Sequence, residues 1–292
     1  MIEISHLTKK YGKHIAVDDL SLNIESGKIY GFLGPNGAGK STTMNMITGY
    51  LGATSGTIKI DGEDIFENPE KARMKIGYLP ELPPLYQEML VEEYLYFAAE
   101  LKKIPRKERA QAVEEVMELT GIGEVSDRLI KNLSKGYKQR VGLAQAILGY
   151  PEVIILDEPT VGLDPKQIIE MRELIRKLGE KHTVILSSHI MQEISAVCEY
   201  VFIISKGRLA AADTLENLEN MSMPNQVLQF EIKGSKNEAE RMMNAMSQLR
   251  SFEIGEGTEG HTKISITYGK DKSLEDVFLE LTEGGNADAG DL

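Results

Sequence analysis

The sequence predicts an α/β fold built on a mainly parallel sheet with helices on its faces. One observation is the alternation of strand and helix patterns from residue 153 onward, and the other is a glycine-rich octapeptide near residue 40. Strands that alternate with helices form parallel sheets, because each helix carries the chain back to the start of the next strand. The elements predicted in order are a strand at 153–156, a helix at 166–178, a strand at 183–187, a helix at 190–198 and a strand at 200–204.

The first sixty residues show patterns typical of an antiparallel sheet. Leu20, Leu22 and Ile24 alternate with polar residues, as in a strand with one buried face. Ile58 and Ile60 alternate in the same way before an Asp-Gly turn. We therefore expect an antiparallel sheet that leads into the octapeptide.

Residues 88–149 are predicted to be mainly helical. Tyr94, Leu95 and Ala98 share one face of a first helix, and Pro105 suits the first turn of the next helix. That second helix carries apolar residues opposite a run of glutamates. We therefore expect a helical subdomain in this part of the chain.

The octapeptide at residues 34–41, Gly-Pro-Asn-Gly-Ala-Gly-Lys-Ser, has the form of a phosphate-binding loop. It follows an apolar strand at 29–33 and precedes a short helix. Its glycines let backbone N–H groups turn toward an anion, and the helix N-terminus adds partial positive charge. Lys40 would reach the β- and γ-phosphates, and the Ser41 hydroxyl would ligate Mg²⁺. The residues expected to bind the nucleoside triphosphate are Gly34, Asn36, Gly37, Ala38, Gly39, Lys40, Ser41 and Thr42.

Composition argues against several other classes of protein. The formal charge is −12 and no basic block stands out, so a general nucleic-acid surface is not expected. The single cysteine, Cys198, excludes an internal disulfide and fits a reducing compartment. Residues 1–5 lack the basic start of a signal peptide, and no apolar run approaches the ~20 residues that span a bilayer. Any work at a membrane would therefore require a partner protein.

Two acidic residues follow the apolar strand that begins at Val153. Asp157 and Glu158 would lie at the carboxyl edge of the sheet, where open α/β folds bind ligands. Asp157 is placed to hold Mg²⁺, and Glu158 to act as general base on the attacking water. Two acids after a strand could equally cap a helix, but the phosphate loop upstream favours the catalytic interpretation. His189 comes after another strand that ends at the same edge. We therefore interpret His189 as a residue that senses the γ-phosphate and not as an ordinary polar loop residue.

Residues 132–140, Asn-Leu-Ser-Lys-Gly-Tyr-Lys-Gln-Arg, predict a turn capped by Ser134 that leads into a helix. This is a second helix N-terminus suited to an anion. In a monomer it would be an ordinary capped helix. In a dimer it would be a lid that closes on the γ-phosphate bound by the other subunit.

The chain resembles the ATP-binding cassette (ABC) ATPases over about residues 1–220. The phosphate loop is followed in the family's order by Leu-Ser-Lys-Gly at 133–136, the acidic pair, Gly-Leu-Asp at 162–164 and His189. The resemblance implies an antiparallel β subdomain, a mainly parallel RecA-like core and a helical subdomain at about 88–149. It also implies a head-to-tail dimer that binds two ATP molecules with Mg²⁺.

The resemblance assigns further residues to this site. Each ATP would lie between the phosphate loop of one subunit and Ser134, Lys135 and Gly136 of the other. By the same resemblance Tyr11 would stack on adenine, and the loop of Asp164 would contact the opposite subunit.

The chain departs from the commonest family pattern at two places. Lys135 and Tyr137 stand where the family signature has Gly and Gln, and Lys135 either adds charge near the γ-phosphate or is simply solvated. Glu81 stands where the family usually has a Gln. Glu81 would either ligate the metal as a charged oxygen donor or repel the γ-phosphate.

These variants resemble the stand-alone ATPase subunits of type-2 ABC exporters. A small C-terminal α/β appendage is expected at 221–283, with strands at 227–232 and 262–267, a helix at 236–249 and an amphipathic helix from Ser273. The acidic tail at 284–292 is expected to be disordered.

The resemblance therefore predicts an ATP-hydrolysing subunit that powers a separate integral-membrane permease. It would be cytoplasmic, held at the inner face of the membrane through the permease, and would form either a homodimer or a heterodimer of ATPase subunits. One alternative is an ABC ATPase acting on nucleic acid or ribosomes, but the chain has one cassette and no long heptad run. Another is a nucleotide-sensing scaffold, which the presence of Lys40, Asp157 and Glu158 disfavours.

Overall fold

The computed structural model describes residues 1–221, 226–233, 235–244, 249–256, 261–268, 278–279 and 282. The chain divides into two compact units between Leu215 and Glu216. The strands are β1 (Ile2–Tyr11), β2 (His14–Ile24), β3 (Ile29–Leu33), β4 (Ser55–Ile60), β5 (Glu63–Asp64), β6 (Ile76–Leu79), β7 (Val153–Asp157), β8 (Thr183–Ser188), β9 (Tyr200–Ser205), β10 (Arg208–Thr214), β11 (Gln226–Lys233), β12 (Leu249–Glu256) and β13 (His261–Tyr268). The α-helices are α1 (Lys40–Ile47), α2 (Pro69–Met74), α3 (Val91–Leu101), α4 (Arg109–Thr120), α5 (Lys135–Ile147), α6 (Pro165–Gly179), α7 (Met191–Val197), α8 (Leu215–Met221) and α9 (Lys236–Asn244).

The centre of the first unit is a six-stranded sheet in the order β10-β9-β3-β8-β7-β6. Its strands pair in parallel except for β10, which pairs antiparallel with β9. All residues of β3, β7 and β8 are buried, because both faces of the sheet are covered, one of them in part by residues of the antiparallel strands. The predicted α/β fold is therefore confirmed, and the carboxyl ends of β3, β6, β7 and β8 meet at one edge.

A second sheet, in the order β2-β1-β4-β5, is antiparallel, as the alternation in the first sixty residues predicts. Its buried residues join those of the parallel sheet in one core. Ile4 and Ile58 pair across β1 and β4, and Phe32 and Phe202 contact each other at 5.2 Å between ring centroids. Ala38 of the phosphate loop belongs to this core.

The helical region contains α3, α4 and α5, with one correction to its predicted boundaries. The second helix begins at Arg109 and not at Pro105, because the Glu108 N–H donates to the Pro105 carbonyl and closes a turn first.

The Lys102 ammonium donates to the carbonyls of Ala146 (2.8 Å) and Leu148 (2.7 Å) at the end of α5. Burial lowers the pKa of Lys102 to about 8. In the part of the chain that the structure describes, no helix is long and apolar enough to cross a bilayer.

The second unit contains an antiparallel sheet in the order β11-β13-β12 and the helix α9. Strands β11 and β13 contain the predicted ones. The helix predicted at 236–249 is too long: α9 ends at Asn244, and Leu249 begins a strand, β12, that the prediction missed. β12 forms because Ile254 pairs with Ile264 of β13, and Phe252 packs on the same small core. The helix predicted from Ser273 lies largely outside the described residues, and the tail at 284–292 lies entirely outside them.

Candidate active site

The phosphate loop joins the end of β3 to the start of α1, as expected. Glycine is required at two of its positions: a Cβ on Gly34 would lie 2.5 Å from the Ile204 carbonyl oxygen, and one on Gly39 would lie 2.5 Å from the Ala16 carbonyl oxygen. Gly39 also has φ +105°, a conformation that L side chains rarely adopt. No side chain caps the N-terminus of α1, so its N–H groups point into the loop without a side-chain acceptor.

Lys40, Glu158 and His189 come together beside this loop. The Lys40 ammonium is 5% exposed, donates to the Gly34 carbonyl at 2.8 Å and lies 3.4 Å from Glu158 Oε1. His189 Nδ1 lies 3.0 Å from Glu158 Oε2. Glu158 is 6% exposed, and its carboxylate has a cation beside one oxygen and an imidazole beside the other. This arrangement holds the carboxylate in one orientation, which a general base requires.

Asp157 and Ser41 form the other charged part of the site. The Ser41 hydroxyl donates to Asp157 Oδ1 at 3.2 Å, and Asp157 is 3% exposed. A carboxylate and a hydroxyl this close are hard oxygen donors of the kind Mg²⁺ prefers, with phosphate oxygens and water completing its shell. The residues present therefore fit a magnesium ion. Among the described residues there is no group of three or more His, Cys, Asp or Glu side chains that could hold a metal ion.

A cavity of about 450 Å³ lies in front of these groups. Tyr11, half-exposed, forms one wall with its ring 5.2 Å from the Lys9 ammonium, and Glu81 and His189 lie on other sides. The predicted residues that line the cavity are Tyr11, Asn36, Gly37, Gly39, Lys40, Ser41, Thr42, Glu81, Glu158 and His189. The structure therefore brings these residues from five separate parts of the sequence around one space large enough for a nucleotide.

The cavity also has lining residues that sequence reasoning missed, namely His14, Ala16 and Val161. His14 pairs with Tyr11 across the hairpin between β1 and β2. The Gly12 turn between them was the signal that could have placed His14 beside the ring.

Glu81 lies in the loop after β6, exposed to the cavity. Its backbone carbonyl accepts from Gln139 Nε2 of α5 at 3.4 Å. This contact links the loop at the nucleotide cavity to the helix that Ser134 begins.

Ser134, Lys135, Gly136 and Asp164 do not line the nucleotide cavity. The Ser134 hydroxyl caps α5 by accepting from the Tyr137 N–H (3.4 Å), and Asp164 caps α6 by accepting from the Gln167 N–H (2.9 Å). Gly136 packs against the Gln167 side chain, where an added Cβ would lie 2.7 Å away, and the exposed Lys135 ammonium lies against Gly162. Gly136 and Asp164 line a second cavity of about 560 Å³. Within one chain, therefore, these residues form a separate surface, which we call the signature surface.

The parallel sheet, the phosphate loop and the acidic pair at its carboxyl edge define a phosphate-loop nucleotide-binding protein. A family model described as ABC transporter matches residues 17–161. The bacitracin transport ATP-binding protein BcrA of Bacillus licheniformis is 36% identical over 98% of both chains. The linearmycin resistance ATP-binding protein LnrL of Bacillus subtilis (strain 168) is 35% identical over 97% of this chain and 98% of its own length.

Solved structures agree with these sequence relatives. The dimeric cassette MJ0796, in a post-hydrolysis state bound to ADP and Pi, matches with a TM-score of 0.67 at 26% identity, over 74% of this chain and 99% of its own. The chain belongs to the ABC transporter family. It is an ATP-binding subunit of that family and an ATPase, as its sequence predicts.

Proposed function

We propose that this chain powers a separate integral-membrane permease of an ABC exporter from the inner face of the membrane. The relatives support this role, because two of them are named for bacitracin transport and linearmycin resistance. The observation that carries the proposal is the division of the site: one chain holds a phosphate loop with its acidic residues, and its signature surface lies elsewhere. Such a division is expected when two subunits meet head to tail and each completes the other's site.

In this proposal Lys40 and the N–H groups of α1 hold the phosphates of ATP, and Tyr11 stacks on adenine. Glu158 accepts a proton from a water whose oxygen attacks the γ-phosphorus. The bond from that phosphorus to the β–γ bridging oxygen breaks, and ADP and phosphate leave. His189 holds the Glu158 carboxylate toward the water. Mg²⁺, held by Ser41 and Asp157, would supply positive charge to the phosphates. Glu81, which lines the same cavity, is a candidate for a further ligand of this ion.

ATP binding would close the dimer, because the signature surface of the second chain adds Ser134 and the N-terminus of α5 to the γ-phosphate. Lys135 adds a positive charge to the same surface, and Asp164 meets the opposite chain. Hydrolysis removes the phosphate that both chains hold, so the dimer opens. The opening and closing of the dimer would in turn open and close the bound permease.

Purification of the tagged chain from membranes of its native cell tests the transport role. A multi-span membrane protein is expected to copurify in a fixed ratio with the chain, as quantified by mass spectrometry. Recovery with ribosomal or DNA-binding proteins, and no membrane protein, would contradict the transport role. It would leave the ATPase activity in place.

Mixing two inactive variants tests the shared site. Lys40→Met removes the ammonium from the phosphate loop, and Ser134→Asp keeps a good helix cap but places a carboxylate where the γ-phosphate would lie. We expect the hydrolysis rate of each homodimer to fall at least about tenfold. The Lys40 variant lacks the cation that holds the phosphates, and the Ser134 variant places a negative charge beside them. An equimolar mixture should recover about a quarter of wild-type activity, because half of the dimers are mixed and each has one intact site.

Two controls make this test specific to the geometry. A mixture of Lys40→Met with Glu158→Gln should recover nothing, because both changes damage the same half of the site. Ser134→Asn, a neutral cap, should retain more activity than Ser134→Asp. Failure of the first mixture to recover, with both variants folded and dimeric, would exclude a site shared between two copies of this chain.

A further inference from the structure

A buried hydroxyl outside the cavity connects the two acidic residues of the site. Ser187 is 0% exposed and lies directly beside Asp157 in the register of β7 and β8. Its hydroxyl donates to Asp157 Oδ1 and accepts from the Glu158 N–H at 3.1 Å. One side chain thus contacts the carboxylate of the first acid and the backbone of the second.

The backbone of Glu158 needs such support. Glu158 has φ +48°, a left-handed conformation that residues with a Cβ adopt at a cost in energy. Its N–H points to Ser187, whose hydroxyl lies at 3.1 Å and whose carbonyl oxygen lies at 3.2 Å. The turn that aims the Glu158 carboxylate at Lys40 and His189 is therefore held from the neighbouring strand.

The Asp157 carboxylate is oriented by the same hydroxyl. Oδ1 accepts from Ser187 on one side and from Ser41, at 3.2 Å, on the other. Since Asp157 is almost completely buried, these hydroxyls replace the water that would otherwise solvate the oxygen. A carboxylate fixed in this way presents itself to a cation without first having to be ordered.

We propose that Ser187 is a positioning residue that aligns Asp157 with the metal and Glu158 with the attacking water. The inference rests on the proposed roles of those two acids. Ser187 does not line the nucleotide cavity, and its hydroxyl is engaged by the Asp157 carboxylate and the Glu158 N–H. It acts through the orientation of both groups.

The test is a Ser187→Ala variant of the full chain, assayed by hydrolysis and by binding. We expect kcat to fall about tenfold while KM for ATP stays within about twofold, because the phosphate loop and Tyr11 are unchanged. We also expect the Mg²⁺ concentration for half-maximal binding of a fluorescent ATP analogue to rise about tenfold. The binding measurement needs no turnover, so it reports the alignment of Asp157 directly.

Thr183→Val is the matched control at the other end of β8. The buried Thr183 hydroxyl accepts from the Gly27 N–H at 3.0 Å, roughly 13 Å along the strand from Ser187. This variant loses a buried hydrogen bond in the same strand, yet its kcat and Mg²⁺ requirement should match wild type. If Ser187→Ala does not fold, Ser187→Cys fills the site with a somewhat larger thiol that is a weaker hydrogen-bond donor, and the same loss in kcat is expected.

The outcomes separate this inference from the proposed function. A Ser187→Ala variant with the kcat and Mg²⁺ requirement of Thr183→Val overturns the positioning role, provided that Glu158→Gln is inactive. If Glu158→Gln hydrolyses ATP normally, the proposed role of Glu158 fails first, whatever Ser187→Ala does. A rise of about tenfold in the KM for ATP, with no change in kcat, would also overturn the inference.

Discussion

The Glu158→Gln variant is expected to bind ATP but to hydrolyse it at least ~100-fold more slowly than wild type. General bases contribute about 10²- to 10⁴-fold to such reactions, and an amide cannot accept the proton of the attacking water. Glutamine fills the same space and can still meet Lys40 and His189, which lie within 3.4 Å and 3.0 Å of the present carboxylate. Nucleotide binding should therefore survive, and the ATP-bound dimer should accumulate.

Two measurements check this result. Phosphate release gives the turnover rate, and light scattering with and without ATP gives the mass of the particle in solution. Glu180→Gln, an exposed change just after α6, is the matched control and should behave as wild type in both. Unchanged hydrolysis by the Glu158 variant would remove this residue from the role of general base.

The Lys40→Met variant is expected to lose ATP affinity on the order of 100-fold. Hydrogen bonds to charged groups contribute about 1.5–3 kcal/mol each, and about 1.4 kcal/mol changes a dissociation constant tenfold. Methionine keeps the buried stem of this 5% exposed side chain but removes the ammonium. It also leaves the buried Glu158 carboxylate without its cation, which adds repulsion toward the γ-phosphate.

Equilibrium titration with a fluorescent ATP analogue measures the loss of affinity. Lys181→Met is the matched control, because Lys181 is exposed at the far end of α6 from the site. It should bind the analogue as wild type does. Binding by the Lys40 variant within about threefold of wild type would show that the ammonium is not a phosphate ligand, and the melting temperature would confirm that both variants are folded.

The parts of the site that the sequence predicted are local in the chain. The phosphate loop is one octapeptide, and its glycines are needed because the carbonyls of Ala16 and Ile204 approach it closely. Asp157, Glu158 and His189 were predictable because each lies at the end of a buried strand, and parallel strands end at one edge. Short-range patterns of this kind need no knowledge of distant contacts.

Other features depend on contacts between distant residues. The strand β12 was missed because its pairing with β13 decides its conformation. Ser187 carries no motif of its own, and only the register of β7 against β8 brings its hydroxyl to Asp157. The pattern of apolar and polar residues within one segment does not show which other segment it pairs with or in what register.

The sequence by itself determined the α/β fold, the phosphate loop and the acidic pair, since each depends on neighbours a few residues away. Only the tertiary structure decided how Lys40, Glu158 and His189 meet and that Ser187 holds the acids. It also decided that the signature surface lies apart from the nucleotide cavity of the same chain. The physical reason is that these relations are set by sheet register and core packing, which join residues from 29 to 116 positions apart.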